Sequence, residues 1–180
     1  MLLNPRSLEG FRVETDRLFL MPIDLTYAEE IFNVFDDTVT KYMYPSTPEK
    51  IEDTINFIKG AMEHFSTKKD VVAVILHKDT MEFLGCVGLH DMDTNTPELG
   101  IWTKTSIHGN RYGREAVKGM KEWADRNVSY EYLIYPVAEE NIPSRKIPES
   151  LGGVLVSSGE KANQASLIHR SVTYHIYPTK

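Results

Sequence analysis

Three strand-like segments follow one another in mid-chain, and only after them does a long helical pattern begin. Val71–Leu76 is a continuous apolar run, His77–Met81 reads as a hairpin turn, Phe83–Leu89 returns, and Glu98–Thr103 follows the polar, turn-rich stretch Asp91–Pro97. Neighbouring strands this close in sequence have no room for the crossovers that an all-parallel sheet needs. The order therefore excludes a purely parallel α/β fold and predicts a mixed sheet with helices on both faces.

The flanking segments fit that frame. Phe11–Met21 holds β-type residues and stops at Pro22; Thr26–Glu29 has capping-box form, with Ala28, Ile31, Phe32 and Phe35 behind it at helical spacing. Thr47-Pro48-Glu49 predicts a second helix whose stripe is Ile51, Ile55, Ile58, Met62 and Phe65. Arg111–Asn127 places Tyr112, Ala116, Val117, Met120, Trp123 and Ala124 on one face of a third. Tyr132–Val137 reads as a strand, Asn141–Leu151 as a short helix closed by Gly152-Gly153, and Val154–Ser158 and Leu167–Tyr177 as two last strands. The predicted order is β, α, α, β, β, β, α, β, α, β, β, within one domain over residues 1–180.

Composition narrows the function classes. A net charge of −6 argues against a phosphate-backbone partner, so no nucleic acid is expected. No apolar run reaches the roughly 20 residues of a membrane helix, and the first residues lack a secretory h-region. Cys86 is the single cysteine; with no pairing partner and no sign of an oxidising compartment, the expected location is cytoplasmic. The histidines show no ligand spacing, and no metal is expected. The short acidic groups, such as Asp36-Asp37 and Glu139-Glu140, are either a solvated surface or a field that attracts a cationic substrate.

Two segments can carry chemistry. In Ser106–Ala116 a strand runs through a turn with two glycines straight into a helix. Unpaired N–H groups of the first helical turn, beside the positive end of the dipole, suit a phosphate or pyrophosphate, although a tight connection needs the same glycines. The spacing matches neither a P-loop nor the dinucleotide fingerprint. In Tyr135–Ser144, Pro136 interrupts a strand, which marks an edge or a place where neighbours part, and a parted strand leaves backbone groups for an extended ligand. Asn141 is placed as a helix N-cap with Ser144 in the first turn, and capping alone also explains both.

Four motifs in sequence order, Glu14–Ile23, Glu98–Thr103, Gly109–Ala116 and Asn141–Gly152, resemble the GNAT superfamily of N-acetyltransferases, in particular its ribosomal-protein (RimJ/RimL-like) branch. The resemblance implies a bent, mixed, mostly antiparallel sheet of about seven strands whose fourth and fifth strands splay into a V. It implies acetyl-CoA as cosubstrate, with pantetheine in the V near Trp102 and Thr103 and the pyrophosphate on His108, Gly109, Asn110, Arg111, Tyr112, Gly113 and Arg114. Asn141 would bond the pantetheine and Ser144 would sit near the thioester sulfur. His108 and Arg111 depart from the family loop, Pro148 lies inside the last helix, and Gly153 stands where the branch commonly has an aromatic.

Acetyl transfer to an amine needs a base and a hydrogen bond to the leaving thiolate. Glu98 is the first candidate base, in competition with a merely exposed carboxylate; His90 is the second, and Ser144 is the resemblance's donor to the thiolate. Tyr42 and Tyr44 are expected near the acceptor, which is a small-molecule or peptide primary amine, on a monomer or homodimer. A module of the same fold that binds acetyl-CoA without turnover is the alternative.

Overall fold

The computed structural model describes residues 8–179. Its strands are β1 (Val13–Glu14), β2 (Leu18–Pro22), β3 (Val71–His77), β4 (Phe83–His90), β5 (Glu98–Thr103), β6 (Leu133–Ala138), β7 (Val154–Ala162) and β8 (Ile168–Ile176). Its helices are α1 (Ala28–Val34), α2 (Asp37–Thr40), α3 (Ile51–Ser66), α4 (Tyr112–Asn127) and α5 (Ile142–Ser150). The strands form one sheet in the order β1-β2-β3-β4-β5-β6-β8-β7, antiparallel at every step except β5–β6.

Eight strands replace the expected seven because Phe11–Met21 is not one strand. Thr15-Asp16-Arg17 turns the chain, and Val13 faces Leu20 across a short hairpin. Two helix starts also differ. Asp24, not Thr26, caps the first helical turn by accepting the Thr26 N–H at 2.8 Å. The long helix begins at Ile51, where Asp53 accepts the Lys50 and Glu49 N–H groups, while Thr47 instead donates to Asp37 at 2.6 Å.

Both faces of the sheet are covered. In β3, Val71, Ala73 and Ile75 join the core under α4 and α5; Val72, Val74 and Leu76 join the core under α1 and α3. Burial on both sides is why β3 reads as a continuous apolar run rather than an alternation. Val117, Met120 and Ala124 bring α4 onto one face, and Ile31, Ile58 and Ala61 bring α1 and α3 onto the other.

β4 carries a bulge. Ile75 faces Gly85 but Leu76 faces Phe83, so Leu84 is the extra residue. Gly85 has φ +150°, and a Cβ there would lie 2.1 Å from the Trp102 carbonyl oxygen. Only glycine fits that approach. β5 and β6 share a single register pair, Glu98 with Ile134, where the Ile134 N–H donates to the Pro97 carbonyl. Pro136 stands two residues on, on the same side of the strand, and has no N–H to continue the ladder. The two strands pair only at this end, as the resemblance implies. Among the described residues, no helix is long and apolar enough to cross a membrane, and no cluster of three or more His, Cys, Asp or Glu could hold a metal.

Candidate active site

A cleft of about 800 Å³ follows the parted strands. Its floor on the α1/α3 face is made of three cross-strand pairs of β4 and β5: His90 with Glu98, Gly88 with Gly100, and Cys86 with Trp102. Residues two apart on a strand share a face, so these six form one patch. The glycine pair leaves a hollow that the His90 imidazole occupies. A Cβ on Gly88 would lie 2.4 Å from His90 Nε2, and one on Gly100 would lie 3.5 Å from it.

Glu98 is half-buried beside His90. Burial raises its carboxyl above the ordinary carboxylate range, with the charges of His90 and Lys161 pulling it back. On the far side of His90 stands Asp70, 11% exposed, with its Oδ2 3.5 Å from His90 Nδ1. The same oxygen lies 2.6 Å from His64 Nδ1, and Oδ1 accepts the Asp91 N–H at 2.9 Å. Burial alone pushes Asp70 up, but the Asp91 N–H, His64 and His90 together outweigh it and hold the group below its usual range. Cys86 is buried, and burial pushes its thiol well above the ordinary range, so it serves as a small apolar residue.

Opposite this patch, β6 and α5 supply two hydroxyls. Tyr135, 2% exposed, places its hydroxyl 2.8 Å from Ser144 Oγ. Burial pushes the phenol up to about 12, against a smaller pull from Ser144, so it keeps its proton at neutral pH. Asn141 caps α5, its Oδ1 accepting the Ser144 N–H at 3.4 Å. Pro148 is tolerated inside α5, and the chain folds back so that the Gly153 N–H donates to the Pro148 carbonyl at 2.8 Å. A Cβ on Gly153 would stand 2.7 Å from that oxygen, which explains why no aromatic occupies the position.

The structure thus brings Glu98, His90, Trp102, Asn141 and Ser144 to one cleft. The Trp102 ring packs edge-on against Phe35 at 4.8 Å, so its side chain lies on the α1/α3 side. Tyr42 and Tyr44 line the same cleft, beside the turn between β7 and β8, where the Gln164 N–H donates to the Tyr44 carbonyl at 2.8 Å.

Thr103, the last residue of β5, and residues 108–114, which follow that strand, do not line the cleft. There His108 Nε2 lies 3.2 Å from the Thr103 carbonyl, and Gly109 has φ +88°. The Asn110 amide donates to the Ile107 carbonyl at 2.9 Å. Arg111 takes the left-handed conformation, φ +62°, and makes no side-chain cap. Glu115 donates the first main-chain bond into the helix, to the Arg111 carbonyl, which leaves the Tyr112, Gly113 and Arg114 N–H groups as the open positive end of a 16-residue helix. A Cβ on Gly113 would meet Ile101 and Ile147 at an ordinary 3.7 Å, so its smallness is not required for packing.

Three residues of this region carry no signature in the sequence. Tyr135 reads only as a core tyrosine. Asp70 reads as a residue between a helix and a strand. Arg17 holds the glycine turn from a distance: its Nε bonds Glu115 at 2.7 Å, both terminal nitrogens donate to the Asn110 carbonyl at 3.2 Å, and the guanidinium lies over the Tyr112 ring. Thr15 adds a 2.6 Å bond to Glu115.

An open helix N-terminus beyond a pair of parted strands, with two hydroxyls, a histidine and a carboxylate lining the cleft between them, belongs to a fold class that known sequences identify. Residues 17–154 match the acetyltransferase (GNAT) domain family, and the chain belongs to it. It is 37% identical over 79 residues to YoaA of Bacillus subtilis (strain 168), named as an uncharacterized N-acetyltransferase; the match covers 43% of this chain and 45% of YoaA. The chain therefore matches under half the length of that relative. The fold is similar to the microcin C7 self-immunity acetyltransferase MccE, solved with acetyl-CoA and AMP, at a TM-score of 0.78, 21% identity and coverage of 91% of this chain and 93% of that one. It is also similar to RimL, a ribosomal L7/L12 alpha-N-protein acetyltransferase solved with coenzyme A, at 0.80, 13%, 93% and 97%.

Proposed function

We propose that this protein transfers an acetyl group from acetyl-CoA to a primary amine, by direct attack within a ternary complex. The observation that carries the reading is the cleft itself: the β5–β6 pairing stops after one register pair, and the Tyr135–Ser144 hydroxyls and the His90–Glu98 pair both line the space that opens there. The open N-terminus of α4 offers N–H groups and a positive dipole end to a pyrophosphate, with Gly109 and Arg111 supplying the positive φ values of the turn. Free backbone groups of β5 near Trp102 and Thr103 suit pantetheine, and Asn141 keeps its amide N–H₂ for the same ligand while its Oδ1 caps α5.

The amine nitrogen attacks the thioester carbon, the C–S bond breaks, and its electron pair leaves on sulfur. Ser144, backed by the neutral Tyr135 phenol, gives the sulfur a hydrogen bond and a route to a proton. His90 and Glu98, side by side on β4 and β5 in the cleft lining, are the groups proposed to accept its proton. Holding both reactants in line supplies much of the remaining rate.

Likeness to proteins named as a ribosomal L7/L12 alpha-N-protein acetyltransferase and a microcin C7 self-immunity acetyltransferase supports a peptide or small-molecule amine as the acceptor. A cytoplasmic location fits such a reaction, because acetyl-CoA is made and used inside cells. A panel of primary amines with acetyl-CoA, following free thiol, tests the reading. Thiol release that depends on one class of amine is expected. Calorimetric binding of acetyl-CoA with no turnover on any amine would replace the enzyme by the sensing module.

A further inference from the structure

Register alone places three ionisable side chains in a row across the sheet. Val71 faces Leu89 and Leu89 faces Leu99, so Asp70, just before β3, and His90 and Glu98, on β4 and β5, are successive neighbours across the sheet. Asp70 is fixed from three sides: His64 Nδ1 at 2.6 Å, the Asp91 N–H at 2.9 Å and His90 Nδ1 at 3.5 Å. His90 is fixed from two. Its Nδ1 side meets Asp70, and its Nε2 side lies in the hollow over Gly88 and Gly100. No hydrogen bond to Nε2 is present among the described residues, and His90 lines the cleft together with Gly88 and Gly100.

We propose that Asp70 is a positioning residue that holds His90 in the Nδ1–H tautomer, so that His90 Nε2 takes the proton from the acceptor amine. The proposal rests on the acetyl-transfer reading for its chemistry and on the 3.5 Å approach of His90 Nδ1 to Asp70 Oδ2 for its tautomer. A carboxylate that accepts an imidazole N–H fixes which ring nitrogen carries the lone pair, and it stabilises the imidazolium that forms. The step balances without moving a proton onto Asp70. The amine forms the new C–N bond as the C–S bond breaks and gives its proton to Nε2; the departing sulfur takes a proton from the Ser144–Tyr135 side, solvent restores that proton, and the imidazolium returns one to solvent.

The charges around His90 come from every packed element. Asp70 precedes β3, Asp91 follows His90, and Glu98 lies opposite on β5. Lys161 of β7 acts on Glu98; Asp53 of α3 and His169 of β8 line the cleft. Behind them, His64 pairs with Asp70 and Lys69 lies 4.0 Å from Asp91. Glu98 in this arrangement is the carboxylate that draws the ammonium form of the acceptor into the cleft, where the amine sheds one proton to solvent before it attacks.

Two measurements decide it. Imidazole ¹⁵N spectra of the unliganded protein read the tautomer directly: His90 protonated at Nδ1 in the parent, with the other tautomer gaining population in Asp70→Asn. A parent His90 protonated at Nε2 overturns the proposal whatever the protein's activity. Thiol release with one amine acceptor then reads the function in Asp70→Asn, His90→Gln and the double variant, with acetyl-CoA binding checked in each by calorimetry. His90→Gln should lose about 10²–10⁴-fold in kcat. Asp70→Asn should lose roughly 10-fold or more and move the acidic limb of the profile to lower pH, and it should cost nothing further in the His90→Gln background. Equal losses from Asp70→Asn in both backgrounds would make its role purely structural. If Asp70→Asn does not fold, Gly88→Ala displaces the imidazole from the other side and should reproduce the His90→Gln loss with acetyl-CoA still bound; parental turnover in Gly88→Ala overturns the assignment.

Discussion

Replacing Tyr135 by phenylalanine removes one oxygen from a residue that is 2% exposed and breaks one 2.8 Å contact, to Ser144. A neutral hydrogen bond of this kind contributes about 0.5–1.5 kcal/mol net, and Ser144 is half-buried and free to turn its hydroxyl toward the cleft, so about 1 kcal/mol is the expected loss. In a chain of this length that lowers Tm by about 2–4 °C. The ring stays in place, so the α5 face of the core keeps its packing. The effect on catalysis should be far larger. If Ser144 relays a proton or strong hydrogen bond from the phenol to the thiolate, Tyr135→Phe and Ser144→Ala each remove the same route, and kcat falls by up to the 10²–10⁴-fold typical of a positioned acid. KM for acetyl-CoA should barely change, and the double variant should lose no more than the worse single one, because the two act as a unit. Burial raises the phenol to about 12 from an unfolded value near 10, so the stability tied to its neutral form is complete below about pH 10 and is lost as pH rises through 12. The same shift means that no alkaline limb from Tyr135 should appear in kcat below about pH 10. Thermal unfolding and thiol-release kinetics on the three variants suffice. Full kcat in Tyr135→Phe, at any Tm, refutes the relay.

Three further outcomes follow from the geometry. Arg111→Gly relieves a left-handed residue worth about 1 kcal/mol but adds chain entropy of similar size, so Tm should change by no more than about 3 °C, while acetyl-CoA Kd should rise about 5-fold if the guanidinium meets phosphate; unchanged Kd in calorimetry removes Arg111 from the binding loop. Gly153→Ala drives a Cβ to 2.7 Å from the Pro148 carbonyl and should cost about 1–3 kcal/mol in thermal unfolding, and an unchanged Tm would show that the α5 end yields freely. Burial pushes Glu115 up, but Thr15 and Arg17 outweigh it and hold its carboxyl below the usual range, so its contribution to stability is present above that range and lost as pH falls; Glu115→Gln should cost about 1 kcal/mol at pH 7 and little at pH 2–3, and a pH-independent loss would contradict the ion-pair account.

Much of the architecture was legible in the chain because it rests on local rules. The run of three strands before α4 forced antiparallel pairing, and the double-sided burial of β3 showed as an unbroken apolar run. Pro136 marked the parting of β5 and β6 because a missing N–H is a property of one residue. The Gly109–Gly113 segment announced a turn into a helix for the same reason. The shortfalls were also local: Asp24 and Lys50 outcompeted Thr26 and Thr47 as helix starts, where several residues within a few positions could cap.

What tertiary structure decided is which side chains meet. Asp70, His90 and Glu98 are 20 and 8 residues apart and belong together only because three strands pair in one register; a slip of one residue on β4 would send His90 to the α4 face. The bulge at Leu84–Gly85 contributes to that register, and nothing in a strand-like sequence reveals which residue will be skipped. Tyr135 meets Ser144 because α5 folds back across β6, and Arg17 reaches Asn110 and Glu115 because the β1–β2 turn lies beside the start of α4. Backbone preferences are written residue by residue, and so the sequence carries them; side-chain partnerships across a sheet depend on register and helix placement, which are set by the whole core at once.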